Sequence, residues 1–241
     1  LETAHNAALK IGRFLSSRKM SKKPLRSLFH YSHPVLEQKI LGIQFKNPIG
    51  LAAGFDKNAD LIDVISNVGF GFIEVGSITA KPCKGNSGQR LKRIKEKESL
   101  WVNLGLNNEG VKEIKKTLIG KKFDIPVGIS IAKTNCQKTA EDNKGLEDYI
   151  ESLRLIKNLG DYITINISCP NAYGGQPFSN PRLYERLLKG LVKLKIKKPL
   201  FVKFSPDLEK SQIDRILRIS DKYPISGFIC SNLTKKSKKK S

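Results

Sequence analysis

Apolar positions along this chain switch repeatedly between two periods. Continuous apolar, often β-branched runs at 48–53, 70–75, 126–131, 162–168, 200–204 and 225–230 read as parallel strands covered on both faces. Between them, apolar residues return every three or four positions, the signature of a helix with one buried face. These sets are Leu61, Ile62, Ile65 and Val68; Val111, Ile114 and Leu118; Leu146, Tyr149, Ile150, Leu153 and Ile156; Leu183, Leu187, Leu188, Leu191 and Leu194; and Ile213, Ile216 and Leu217. The segment 80–106 breaks the rhythm, with Pro82, Gly85, Asn86 and Gly88 in turns and an extra strand predicted at Leu100, Trp101 and Val102. Upstream, residues 1–35 predict a helical appendage. Ala4, Ala7, Ala8, Ile11 and Leu15 fall near helical spacing among Lys10, Arg13 and Arg18, and a short second helix is expected around Pro24, Leu25, Leu28 and Phe29. Such a basic amphipathic pair suits an anionic membrane surface or packing against the main domain, and the pattern alone does not choose.

Six strand–helix repeats imply a parallel sheet with right-handed crossovers, either doubly wound or closed as a (β/α)8 barrel. Small or polar residues recur at the strand C-termini: Gly54, Ser77, Ser130, Asn166, Lys203 and Asn232. An open sheet concentrates function at its switch point, whereas a barrel gathers every strand end around one mouth. The fold class expected is therefore α/β of the TIM-barrel type, with about six of eight βα units present. The organisation expected is a helical extension (1–35), the barrel (36–234) and a basic tail (235–241) without order.

Composition changes this picture little. The net charge of +22 invites nucleic acid or anionic lipid. The lysines are scattered over outer helix faces with no aromatic platform, which favours a solvated surface, and no nucleic-acid partner is expected. Cys83, Cys136, Cys169 and Cys230 form no C-x-x-C pair and match no zinc spacing, so free thiols in a reducing compartment and no metal are expected. No apolar run is long enough to span a bilayer, no secretory signal is visible, and the chain does not begin with Met, so its start is expected to be missing.

The chemistry concentrates where polarity arrives abruptly. After the apolar run 162–165 comes Asn166-Ile167-Ser168-Cys169-Pro170-Asn171, two amides, a hydroxyl and a thiol at a strand end, with Pro170 stopping the strand. Read blandly, this is a strand followed by an Asn/Pro turn. Ala52-Ala53-Gly54-Phe55-Asp56-Lys57 offers close backbone approach and then a cation, and Lys203 sits between apolar neighbours. A buried lysine is costly unless an anion meets it, so two suggest an anionic ligand. The competing readings are a solvated helical turn for Lys57 and a snorkelling side chain for Lys203.

These segments, taken together, resemble dihydroorotate dehydrogenase, in particular its class 2, quinone-reducing, membrane-associated branch. The matching stretches are 47–57, 69–77, 166–171 and 202–207, in family order, and the N-terminal helices resemble the class 2 extension. The resemblance implies an FMN-containing barrel that oxidises dihydroorotate to orotate in pyrimidine (UMP) synthesis and passes electrons to quinone. It would be peripheral, on the cytoplasmic side of the membrane, held by residues 1–35. Flavin contacts carry over to Ala53, Gly54, Lys57, Ser77, Asn166, Lys203 and Ser231, and to Ser130 where the family usually has Asn. Substrate contacts carry over to Lys57, Asn166, Asn171 and Asn232, and to Asn103, whose segment is one residue shorter than usual. Leu233 replaces a usual Thr. Cys169 holds the place of the catalytic base, where class 2 proteins usually carry Ser and class 1 proteins Cys. A thiol titrates closer to neutrality than a hydroxyl and accepts a proton with less help. Cys169 would take the proton from substrate C5 while hydride leaves C6 for the flavin, and Lys203 would steady the developing charge. The bland alternative for Cys169 is a small buried thiol.

The family also has two further βα units carrying a Gly-rich grip on the flavin phosphate, so the chain is expected to be the larger part of a longer protein. Two other functions stay open: an inactive or basic nucleic-acid- or lipid-binding protein, and a related flavin barrel acting on another pyrimidine.

Overall fold

The computed structural model describes residues 1–16 and 22–235. The expectations for Arg18 and for the tail beyond Lys235 fall outside them. Two helices come first, α1 (Glu2–Ser16) and α2 (Lys22–Phe29). A small antiparallel hairpin, β1 (Gln38–Ile40) and β2 (Ile43–Phe45), follows. Then the strand–helix rhythm begins: β3 (Gly50–Leu51), α3 (Ile62–Ile65) and β4 (Phe72–Ile78). The excursion forms a second hairpin, β5 (Leu91–Ile94) with β6 (Ser99–Val102). The remainder alternates α4 (Val111–Leu118), β7 (Val127–Ile131), α5 (Asp142–Ile156), β8 (Tyr162–Asn166), α6 (Pro181–Val192), β9 (Leu200–Lys203), α7 (Lys210–Ser220) and β10 (Gly227–Ile229).

The main sheet has six parallel strands in the order β10-β9-β8-β7-β4-β3. Each strand pairs with its neighbour in chain order. A doubly wound sheet must reverse that order at its switch point, and this one never does. The result is a curled half-barrel with helices on its outer face.

Local chemistry explains the elements. Asn180 caps α6 by accepting from the Arg182 amide, with Pro181 in the first turn, and α7 starts in a reciprocal capping box between Glu209 and Gln212. Tyr184, Leu187, Leu188 and Leu191 of α6, and Tyr149, Leu153 and Ile156 of α5, pack on Ile129, Ile131, Ile163, Ile165 and Val202 of the sheet. Gly128 allows a close approach, since a Cβ there would lie 2.1 Å from the Tyr162 ring. On the concave face, Phe45, Phe72, Tyr162, Phe201 and Phe228 line a cavity of about 440 Å³ together with Glu74 and Lys203.

Boundaries moved where side chains capture the backbone. The fourth expected strand stops at Asn166 because Asn166 Oδ1 accepts from the Ser168 amide, an Asx-type turn. The first is shorter than 48–53, with Asn47 Oδ1 holding the Ile49 amide. The hairpin β1–β2 and the strand β5 were not expected. They are short, charged and largely exposed, so they carry no clear hydrophobic period. Helix α1 is docked on the barrel: Gly12 is buried against Leu61, and Arg13 pairs with Asp60 at 2.6 Å.

Candidate active site

At the C-terminal ends of β3, β4, β8, β9 and β10 lies a cavity of about 530 Å³. The loop after β3 supplies Ala52, Ala53 and Gly54. Gly54 takes φ +111°, a conformation side chains resist, and its amide donates to the Gly76 carbonyl at 2.7 Å, tying the first strand end to the second. Asp56 accepts the amides of Asp60 and Leu61 and so fixes the start of α3. Lys57 then turns back into the cavity, 8% exposed, and donates to the Gly54 carbonyl at 2.5 Å. Burial lowers its pKa to about 8, against the opposing pull of Asp56.

Strand β8 contributes the central amide. Asn166 Nδ2 donates to Ser77 Oγ at 2.8 Å, and Ser77 Oγ shares a 2.8 Å hydrogen bond with Ser130 Oγ. Asn166 Oδ1 accepts from Ser168 Oγ and from Asn232 Nδ2, so one side chain joins the ends of β8, β4 and β10, and Ser77 carries the link on to β7. Lys203 on β9 is nearly buried and lines both this cavity and the aromatic one behind it. Its charge acts on Glu74, whose carboxyl is pushed up chiefly by burial.

Cys169 lies beside Asn166 and Asn171 on the same wall. Leu106, Ala132 and Ala172 pack around it, and burial pushes its thiol up. The loop that carries it is pinned from outside. Asn171 Nδ2 donates to the Val102 carbonyl, Asn86 Nδ2 to Asn103 Oδ1 and the Asn171 carbonyl, and Asn135 Nδ2 to Asn86 Oδ1. The opposite side is apolar, formed by Leu51, Leu91, Leu100, Val102 and Leu104, with His5 of α1 edge-on to Phe55 at 4.7 Å.

Ala53, Gly54, Lys57, Ser77, Asn166, Cys169, Asn171, Lys203, Ser231 and Asn232 thus share one hollow. The structure does not bring Ser130 or Asn103 to its wall. Ser130 is fully buried behind Ser77, and Asn103 is spent in the amide chain, with its own amide donating to the Arg90 carbonyl. Sequence reasoning missed His5, the leucines of the β5–β6 hairpin, and Lys133, which follows β7 directly. The rule that selected strand ends reaches Lys133, two residues past Ile131; nothing local to α1 marks His5.

Fold and mouth together define a class: an α/β-barrel chain wound in sequence order, with a strand-end cavity suited to an anionic ligand of apolar bulk. Comparison with known proteins narrows it. The family model described as dihydroorotate dehydrogenase matches residues 35–241. Proteins called dihydroorotate dehydrogenase (quinone) include one from Gloeobacter violaceus, 36% identical over 211 residues, covering 87% of this chain and 59% of the relative. Another from Helicobacter acinonychis is 38% identical over 237 residues, covering 97% and 66%. Among solved structures, the Eimeria tenella DHODH in complex with ferulenol superposes with a TM-score of 0.80 at 23% identity, over 98% of this chain and 68% of that one, a likeness of fold. The chain belongs to the dihydroorotate dehydrogenase family. It spans 59% of the length of the Gloeobacter relative and 66% of the Helicobacter one.

Proposed function

We propose that this chain forms the flavin- and substrate-binding mouth of a dihydroorotate dehydrogenase that oxidises dihydroorotate to orotate in pyrimidine synthesis. The observation that carries the reading is the meeting of Lys57, Cys169 and Lys203 with three amides in one cavity. The names of the relatives favour dihydroorotate over other pyrimidines and quinone as the acceptor.

The residues present fit FMN. Ala53 and Gly54 allow close approach, Ser77 and Asn166 offer polar contacts, Ser231 lines the far side, and Lys203 brings a cation to the wall. FMN, when bound, would accept the hydride that leaves substrate C6. The rest falls to side chains. Asn166, Asn171 and Asn232 would grip the carbonyl and N–H groups of the pyrimidine, and Lys57 its carboxylate. Cys169, as thiolate, would take the C5 proton; the S–H bond forms as the C5–H bond breaks, and that electron pair becomes the C5=C6 bond. Lys203, at the cavity wall, would supply positive charge where negative charge develops.

The apolar side under His5 and the leucines supports quinone access from α1. Ile11, Phe14, Leu28 and Phe29 are exposed on the basic helices, which supports peripheral attachment to a membrane; the cytoplasmic side follows only from the resemblance. Among the described residues no helix is long and apolar enough to cross one. The test is dihydroorotate-dependent reduction of a quinone analogue by the purified, FMN-supplemented chain. Native protein is expected to turn over and Cys169→Ala to lose at least ~100-fold, the usual size of a general-base contribution; equal rates in both would remove Cys169 from the chemistry.

A further inference from the structure

Lys133 is a buried cation that the site described above leaves unused. It follows β7, is 3% exposed, and donates to the Tyr173 carbonyl. That carbonyl belongs to the loop after Cys169, so the lysine holds the thiol's own loop. Lys133 and Cys169 also line one small cavity of about 10 Å³. Such a space admits at most about one water, too few to hydrate an ammonium. A buried ammonium without water needs an anion or several acceptors. Asp148, the carboxylate acting on Lys133, is already engaged, with one oxygen on the Thr134 amide and the other on Thr134 Oγ1. The Tyr173 carbonyl offers a dipole but no charge.

We propose that Lys133 is the charge partner of Cys169, a positioning residue that holds the loop through Tyr173 and favours the anionic form of the sulfur across their shared cavity. This rests on the reading of Cys169 as the base. The alternative is a purely structural lysine that clamps Tyr173.

The electrostatic surroundings agree. Burial lowers the lysine and raises the thiol, and each favours the other's charged form. The other groups acting on the pair are Cys83, Cys136 and Asp148 on the lysine, and Lys235 with the Asn171 and Ala172 amides on the thiol; Tyr149, whose hydroxyl donates to the Asn166 carbonyl, lines the same cavity.

The test is peptide-resolved alkylation by iodoacetamide across pH, on the whole chain without flavin or substrate. Exposed Cys230 serves as internal standard. Lys133→Met removes charge and clamp; Lys133→Gln removes the charge but keeps a donor for Tyr173, and so also serves if the Met variant fails to fold. Both are expected to raise the Cys169 midpoint by about one pH unit and to slow its alkylation roughly tenfold near neutrality, since the reactive species is the thiolate. Lys133→Arg should return the rate to within about threefold of native, and Cys230 should not change. An unchanged Cys169 profile in Lys133→Gln overturns the pair. A shift without dihydroorotate oxidation would instead count against the enzyme reading alone, and oxidation without a shift against the pair alone.

Discussion

Lys57 and Glu74 are both buried, and pH acts on them in opposite senses. Burial brings Lys57 to about 8, so it carries its charge at neutrality and loses it within an accessible range. On the proposed reading, orotate binds the charged form. Its Kd should rise on the order of tenfold between about pH 7.5 and pH 9.5, because each pH unit above the free-protein pKa costs nearly a factor of ten. Titration of the FMN-loaded chain checks this, and Lys57→Met should bind weakly with a flat profile. Glu74 is held by Thr164 Oγ1 at 2.8 Å, and its carboxyl is pushed up. The native state therefore keeps a proton that the unfolded chain releases near its ordinary value of about 4.3. The resulting stability is full below that value and is lost as pH rises toward the native pKa. Glu74→Gln, neutral throughout, should flatten that loss, so its advantage over native protein in urea unfolding should grow from acid toward neutral pH. A gap independent of pH would mean that Glu74 titrates alike in the native and unfolded chains, and a gap that shrinks toward neutral pH would mean that the native state favours its charged form.

At the scale of elements, legibility followed environment. Strands buried on both faces were readable because every residue of β7 and β8 had to be apolar or paired. Helices α5 and α6 were readable from one apolar stripe each. The hairpin β5–β6 was half missed because its strands are half-exposed and its contribution to the site is a leucine wall. Docking of α1 turned on Gly12, a residue whose use is its lack of a side chain. A Cβ there would sit 2.3 Å from Leu61 Cδ2, so Gly12→Leu should lift α1 from α3. If α1 carries quinone access, quinone reduction should fall severalfold more than reduction of a soluble dye by the same variant. An equal fall would place the effect in the barrel.

For the whole molecule, winding order decided between the two architectures. The strand-end residues pointed to a common mouth, and the monotonic sheet order explains why they reach one. What sequence could not give was depth: Ser130 stands a layer behind Ser77, and Asn103 serves a neighbouring amide, because side-chain competition inside a cluster leaves no periodic trace. The most direct measurement is anaerobic addition of dihydroorotate to the FMN-supplemented chain, followed by flavin absorbance. Bound flavin should bleach in native protein and at least ~100-fold more slowly in Cys169→Ala, with FMN held by both. A chain that binds no FMN, or a flavin that bleaches equally in both proteins, would contradict a mouth in which Lys57, Cys169 and Lys203 act together.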